Sequence, residues 1–412
     1  MGVAVVALVG AGIAAGQEKR EKKVKDQQEY DLFNEIGKTA DPSKRLGLLD
    51  TWKQKYPETD FKEERLQFYL GTYQALQQGI KMAEVAKEWL ALDPKAVTAL
   101  YWLTLLTETL PPTPDSLATG EKAAQGLLAA QKPEAVKPED WAKLKTNIIA
   151  YKTLGFIGSA RKDFKTAEQQ YTKVLELEPN FAEVSYALGM AIFQQKDPDR
   201  QPAVLFHWGR AASLTGVGQF PDAQRQKFDA FFVKAYNTYH GSADGIKEVR
   251  AATLASALPP RDFNIESIAV IRARSEKEFA DKNPQLALWM TVKNKLISDG
   301  QPYFDSEVKG AAIPKLRGTV VSTKPAARPK EIVVGIEKPD VGEVTLVLET
   351  AMTTKADPGT EIEFEGVPSS FNKEPFMVTF DVEGREKISG WPAPAPAVKK
   401  AATKKAGATK KK

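Results

Sequence analysis

Apolar positions along the chain recur with two different periods, and the period changes near residue 300. From about residue 26 to residue 298, apolar side chains recur every three to four positions, which is the spacing of one helix face. After about residue 302, short runs rich in Val, Ile and Thr alternate with turns built from Pro, Gly and Asp, which is typical of strands. The pattern therefore predicts a helical region followed by a small β-rich region.

The helical region divides into successive amphipathic segments, several of which end at an Asp-Pro, Tyr-Pro or Glu-Pro step. The predicted helices cover residues 28–40, 42–55, 66–77, 81–92, 97–109, 116–130, 138–158, 182–194, 203–214, 228–239 and 243–257, with a further helix that begins at Phe164 and ends before Pro179. The sequence WLALDP at 89–94 is echoed by VLELEP at 174–179. An echo of this kind indicates an internal structural repeat.

Residues 151–180 carry the clearest repeat signal. Tyr151, Leu154, Gly155, Gly158, Ala167, Tyr171, Val174 and Pro179 stand at the positions of W-x2-L-G-x2-Y, A-x3-F and a closing Pro. This segment resembles a tetratricopeptide (TPR) repeat, a helix-turn-helix unit that stacks on its neighbours. The resemblance is specific over 151–193 and looser over 66–94. It implies an α-solenoid of the kind found in exported bacterial TPR proteins.

The resemblance also implies a binding surface, because the first helix of each TPR pair lines the concave face that contacts a partner. Carrying those positions onto this chain gives a predicted groove formed by Lys152, Phe156, Ser159, Glu183, Tyr186, Met190 and Phe193. Some TPR proteins clamp a C-terminal carboxylate with Lys and Asn, but Phe156 and Ala187 occupy the Asn positions here. An aromatic and Met-containing groove is suited instead to an apolar peptide or helix. Packing against flanking repeats is the alternative role for these side chains.

The β-rich region contains five predicted strands and ends at Trp391. They cover residues 317–323, 331–336, 343–348, 361–365 and 377–381. Short strands separated by tight turns favour a small antiparallel barrel or sandwich. We therefore expect a mainly α protein with a solenoid at 17–300 and a β-rich domain at 303–391.

The two ends of the chain differ from its centre. Residues 1–16 are an apolar run ending in small residues, which favours a cleaved secretory signal peptide and a periplasmic or secreted protein. Residues 392–412 alternate Pro and Ala and then become Lys-rich, which is typical of a disordered tail. The tail lysines are Lys399, Lys400, Lys404, Lys405, Lys410, Lys411 and Lys412.

Charge and composition narrow the function. The chain has 58 Lys and Arg against 53 Asp and Glu, and the seven tail lysines account for the positive net charge of +5. There is no Cys and there are only two His, so we expect no thiolate, disulfide or His-rich metal site and no cofactor. The sequence 240–242, His-Gly-Ser, is interpreted as a turn and not as a catalytic pair.

Three functions remain open on the sequence alone. We expect a non-enzymatic scaffold or adaptor that binds another protein in the bacterial cell envelope. The first alternative is a module that binds a polyanion, an anionic polymer or a membrane surface through the Lys-rich tail and the β domain. The second alternative is an envelope hydrolase with unrecognised carboxylates.

Overall fold

A computed structural model describes residues 22–134 and 136–394 of the 412-residue chain. The predicted signal peptide, and all of the predicted tail beyond residue 394, lie outside the described residues. The chain divides into two compact units, Met1–Ile268 and Ala269–Lys412. The predicted boundary near 300 lies inside the second unit, which therefore also contains helices.

The first unit is an array of helices in which most helices pack on the next in the chain, whereas α6 packs on α8, and α12 and α13 both pack on α11. Its helices are α1 Gln27–Lys38, α2 Pro42–Lys55, α3 Lys62–Ala75, α4 Gly79–Leu92, α5 Val97–Leu106, α6 Pro114–Ala129, α7 Pro138–Lys143, α8 Thr146–Ala160, α9 Phe164–Leu177, α10 Ala182–Gln194, α11 Gln201–Ser213, α12 Asp222–His240 and α13 Ile246–Ala255. Apart from the short α7, the helices follow one another as pairs: α1 with α2, α3 with α4, α5 with α6, α8 with α9, and α10 with α11. This is the solenoid-like arrangement that the sequence predicts.

Polar side chains fix where several helices begin. Asp26, Asp41 and Asp163 each accept a hydrogen bond from a backbone N–H in the first turn of α1, α2 and α9. Thr113 does the same for α6. Such caps satisfy N–H groups that have no partner inside the helix, and each stabilises its helix by about 1 kcal/mol.

The pair formed by α8 and α9 is the tightest match to the TPR pattern. An added Cβ at Gly155 would lie 2.6 Å from Tyr171, and one at Gly158 would lie 2.9 Å from the backbone nitrogen of Ala167. Both distances are shorter than side-chain contacts allow. Glycine at these two positions therefore lets the helices approach closely, which also explains why Gly158 replaces the aromatic residue of the repeat pattern.

Two predicted helix boundaries are wrong. The predicted helix 138–158 is split, because Lys145 has a φ of 48° and separates α7 from α8. Such a left-handed residue cannot continue an α-helix. The predicted helix 228–239 begins earlier, at Asp222 directly after Pro221, since the fixed φ of Pro suits the start of a helix.

The apolar core of the first unit is made of two main clusters. One surrounds Trp52, Trp89 and Leu103 in the first helix pairs, and the other surrounds Tyr171, Leu188 and Phe232. These side chains come from the faces of the helices that the apolar spacing identified. Burial of each large aromatic side chain in these clusters contributes roughly 1.5–3 kcal/mol.

The second unit begins with helices and continues as a sheet. The helices are α14 Ile268–Lys282, α15 Pro284–Asp299 and α16 Gln301–Tyr303, followed by a single π-turn at Phe304–Val308. The strands are β1 Leu316–Lys324, β2 Glu331–Gly335, β3 Val344–Leu348, β4 Glu361–Phe364, β5 Val367–Asn372, β6 Met377–Val382 and β7 Ile388–Ser389. Trp289 and Leu296 of α15 pack into the core of the sheet, so this helix belongs to the β-rich unit.

The described strands form one sheet in the order β5-β6-β3-β2-β1-β4-β7. Most neighbours are antiparallel, but β3 and β6 run parallel, with Val344 opposite Val378. This pair corrects the prediction of a wholly antiparallel domain. β6 follows β5 in a hairpin and then lies beside β3 in the same direction.

The sheet is open but strongly curled. In the strand order, β4 and β6 lie four positions apart, which is about 19 Å in a flat sheet. The ring centroids of Phe364 in β4 and Phe380 in β6 are nevertheless 5.8 Å apart. The two arms of the sheet therefore enclose a common core, and this arrangement is closer to the predicted sandwich than to a closed barrel.

Five of the seven described strands match the predicted strands, and β5 and β7 were not predicted. β5 contains Pro368 and two serines, which hide the alternation of apolar and polar residues. Proline is tolerated in β5 because this strand lies at the edge of the sheet. β7 has only two residues, too few to form a recognisable pattern.

A buried carboxylate connects α15 to the sheet. Glu343 is 2% exposed and accepts hydrogen bonds from the backbone N–H groups of Ile336 at 2.9 Å and Glu337 at 2.7 Å. The indole of Trp289 donates to it at 3.3 Å, and Lys293 forms an ion pair with it. Burial alone would raise the pKa of Glu343, but the hydrogen bonds and the Lys293 charge outweigh burial and lower it.

Candidate functional site

Three helices of the first unit carry the predicted groove and extend it. They are α8 and α10, which are the first helices of their pairs, and α12, which packs on α11. Lys152, Phe156 and Ser159 lie on α8, whereas Glu183, Tyr186, Met190 and Phe193 lie on α10. The third helix, α12, contributes residues that the sequence reasoning did not include.

Lys152 is the electrostatic link between the helices at one end of this surface. Its ammonium lies 2.8 Å from Glu108 and 2.9 Å from Glu183. Burial lowers the pKa of Lys152, but the charges and hydrogen bonds of the two carboxylates outweigh burial and raise it. Lys152 is thus paired with carboxylates of the protein itself, and its ion pair with Glu183 links α8 to α10.

Phe156 and Ser159 are only partly buried on α8. The hydroxyl of Ser159 forms a hydrogen bond with Tyr171, whose pKa is raised to about 12 mainly by burial. Ser159 is therefore tied to the contact between α8 and α9. Neither residue joins the aromatic contacts described next.

Tyr186 forms the first aromatic contact between α10 and α12. Its ring centroid lies 4.4 Å from that of Phe228, which in turn stacks on Phe220 at 4.6 Å. Aromatic pairs at such distances contribute about 0.5–1.5 kcal/mol beyond their buried area. These rings fix the spacing between the two helices.

The second aromatic cluster is formed by Phe193 and Phe231, which both contact the buried indole of Trp208. The ring of Trp208 lies 5.5 Å from Phe193 and 4.8 Å from Phe231. Trp208 is 6% exposed, whereas Phe193 and Phe231 are 43% and 42% exposed. Met190 packs partly buried against the same core cluster. Phe193 and Phe231 are thus packed against Trp208, while almost half of the surface of each side chain remains exposed to water.

An open groove of about 680 Å³ runs along α12 beside these rings. We call it the aromatic groove, and it is lined by Tyr186, Pro221, Ala223, Gln224, Lys227, Phe228 and Phe231. Among these residues none carries a carboxylate. Lys227 forms no ion pair with any residue between 22 and 134 or between 136 and 394. The groove is therefore an aromatic surface with hydrogen-bond donors and one positive charge.

The structure brings together only some of the predicted groove residues. Lys152 and Glu183 are directly bonded, Tyr186 lines the aromatic groove, and Phe193 borders the Trp208 cluster. The residues missed by the sequence reasoning are those of α12, chiefly Gln224, Lys227, Phe228 and Phe231. A sequence signal for them is the recurrence of Phe at 228, 231 and 232, but the buried helix α11 carries a similar aromatic run at 206–208, so this signal does not distinguish a groove from a core.

The candidate acid–base residues occupy structural positions. His207 is 1% exposed, and burial lowers its pKa to about 3, so it stays neutral beside Ser185 in the core. His240 ends α12, Gly241 has a φ of 93° and Ser242 donates to Asp244, which confirms the predicted turn at 240–242. Within the described residues, no group of three His, Asp or Glu side chains could hold a metal ion.

None of the helices within residues 22–394 is long and apolar enough to cross a bilayer. The predicted polyanion-binding lysines between Lys399 and Lys412 lie outside the described residues, so the structure does not test that site.

No protein-family model and no curated protein matches the chain. Among solved structures, the chain is similar to PilW, titled a widely conserved type IV pilus biogenesis factor, with 16% identity, a TM-score of 0.34 and coverage of 56% of this chain and 94% of PilW. It is also similar to TTC0263, titled a thermophilic TPR protein in Thermus thermophilus, with 14% identity, a TM-score of 0.27 and coverage of 51% and 97%.

The helical unit has a TPR-like fold. The successive helix pairs and the close approach of α8 and α9 at the glycines of the repeat pattern define this fold.

Proposed function

We propose that this protein is a non-catalytic scaffold that binds another protein through the aromatic groove and the neighbouring Phe193. The proposal is supported by the side chains of Phe193 and Phe231, which are 43% and 42% exposed although both rings pack against the buried Trp208. Exposed apolar surface of this kind, adjacent to a groove, is typical of interaction sites.

The expected energetics are those of a small interaction hot spot. Full burial of a Phe side chain contributes about 1.5–3 kcal/mol, so covering the exposed part of each ring contributes roughly 1 kcal/mol. Because Phe193 and Phe231 are already held in place, little side-chain entropy is lost when a partner covers them. Rigid aromatic residues at the centre of a contact are typical of hot spots.

The envelope location belongs to the same proposal. It is supported by the apolar run of residues 1–16, which has the length and small-residue ending of a secretory signal. In this proposal the helices α1 to α13 hold the partner, and the second unit, which begins at Ala269, carries the β-rich sheet.

Site-specific photo-crosslinking tests the proposal. A photoreactive phenylalanine analogue replaces Gln224 in the groove, and the matched control replaces Glu176, which is exposed on α9. Crosslinking in intact cells should yield a defined protein adduct at position 224 only. The adduct should be lost when Phe193→Ala and Phe231→Ala are combined.

The alternatives give different results in the same experiment. An adduct that survives the double substitution but disappears at high salt or on deletion of 392–412 would support polyanion binding and contradict the groove. Equal crosslinking from positions 224 and 176 would also contradict the proposal. Thermal unfolding of each variant shows whether the fold is retained.

A further inference from the structure

We propose that the ligand of the aromatic groove is a proline-rich segment of a partner protein, bound in the extended polyproline II conformation. This inference rests on the proposed function and names its ligand class. It is argued from the hydrogen-bond chemistry, the length and the charge of the groove.

The hydrogen-bond chemistry of the groove matches an acceptor-rich ligand. Tyr186, Gln224 and Lys227 place a hydroxyl, an amide and an ammonium beside aromatic rings. Lys227 can only donate, and the hydroxyl and the amide can donate as well. Carboxylate acceptors are absent from the lining. A ligand with free carbonyl oxygens and few N–H groups is therefore complementary to this groove.

A proline-rich segment in the polyproline II conformation has this property. Its backbone forms no internal hydrogen bonds, so every carbonyl is free, and each Pro lacks an N–H. A bound α-helix would keep its central carbonyls inside its own hydrogen bonds. Strand addition needs an exposed sheet edge, whereas this groove is built from the side chains of α10 and α12 and the preceding loop.

The length of the groove is also suitable. Its lining runs along α12 from Pro221 to Phe231, which is ten residues or about 15 Å at the rise of an α-helix. A polyproline II segment rises about 3.1 Å per residue, so about five residues fit. Aromatic-lined grooves of this length are the usual recognition surface for such segments.

Charge selects a partner protein over the chain's own tail. Residues 392–397 of this chain also alternate Pro and Ala, but Lys399 and Lys400 follow after a single Val. These would approach Lys227, and like charges repel. A proline-rich segment flanked by an acidic residue would instead pair with Lys227.

Fluorescence anisotropy with the full-length protein tests this inference. The probes are three labelled ten-residue peptides: a Pro-Ala peptide with one flanking Asp, an amphipathic helical peptide, and residues 391–400 of this chain. The Asp-bearing proline peptide should bind most tightly. Tyr186→Phe and Lys227→Ala should each weaken its binding about three- to tenfold, whereas the control Lys165→Ala on α9 should leave it unchanged.

Other results would overturn the inference in distinguishable ways. Tighter binding of the helical peptide, lost in the same variants, would overturn the ligand class but leave the scaffold intact. Tighter binding of the 391–400 peptide, or stronger proline-peptide binding after deletion of 392–412, would show that the chain's own tail occupies the groove. No binding of any peptide together with no adduct from position 224 would overturn both the inference and the proposed function.

Discussion

Replacement of Glu343 by Ala is the substitution whose effect on the β-rich unit can be predicted most directly. The carboxylate is 2% exposed and accepts from two backbone N–H groups and the Trp289 indole through one oxygen, Oε2. Its other oxygen, Oε1, pairs with Lys293. Ala would leave all of these donors without their buried acceptor.

The magnitude follows from these contacts. Each buried donor left without an acceptor costs about 1–3 kcal/mol, and breaking a buried ion pair costs about 3–5 kcal/mol. Because Lys293 keeps its second ion pair with Glu337, we expect the lower part of the combined range. Glu343→Ala should lower the free energy of unfolding of this unit by about 3–5 kcal/mol.

Glu343→Gln is the matched control. Its amide oxygen can occupy the position of Oε2 and keep the three donors satisfied, so only the ion pair is lost. Urea unfolding, followed by the methyl NMR signals of Val344 and Leu346 in the sheet core, measures both variants. A loss below about 1 kcal/mol for Ala, or equal losses for Ala and Gln, would refute the reasoning.

Glu343→Gln should also make the free energy of unfolding of the β-rich unit less sensitive to acid. The pKa of Glu343 is lowered in the folded protein, so its contribution is present above the unfolded value of about 4.3 and is lost as the pH falls through the folded value. The pKa of Lys293 is raised, so its contribution is lost only as the pH rises above about 10.4. Unfolding of Glu343→Gln should therefore depend less on pH in the acidic range.

Two further predictions concern the helical unit. Gly155→Ala places a Cβ 2.6 Å from Tyr171 and should destabilise the helical unit by about 1–3 kcal/mol. The control Gly71→Ala has nothing within 4 Å of its Cβ and should stabilise the unit by about 0.5–1 kcal/mol. Melting temperatures of the two variants that shift in the same direction would contradict this prediction. The unfolded chain protonates His207 near pH 6.5 and the folded core does so only near about 3, so stability should fall as the pH drops below 6.5. His207→Gln should flatten this slope in urea unfolding between pH 7 and 4.5, and an unchanged slope would count against the assignment.

The sequence determined the helix pairs because their signals are local. Apolar spacing, capping residues and the glycines at 155 and 158 act within one helix or between two consecutive helices. The same holds for the five predicted strands, whose β-branched runs lie between tight turns. Where a signal was masked, as by Pro368 in β5, the element was missed.

The sequence predicted the residues of the candidate site on α10 but not those on α12. The TPR resemblance placed Tyr186 and Phe193 on a shared face of α10, since residues seven apart, two helical turns, lie on the same side. It did not supply Gln224, Lys227, Phe228 or Phe231, because no repeat pattern marks α12. The sequence also did not indicate that Lys152 pairs with Glu108, 44 residues away.

The sequence by itself thus determined which segments become helices and strands and which faces of them are apolar. Tertiary structure alone decided that Phe193 and Phe231 both contact Trp208, that β3 runs parallel to β6, and that Glu343 is buried beneath α15. The physical reason is that amphipathic periodicity defines a face but not its neighbour. Contacts between distant segments depend on how whole helices and strands pack, and that information is spread over the entire core.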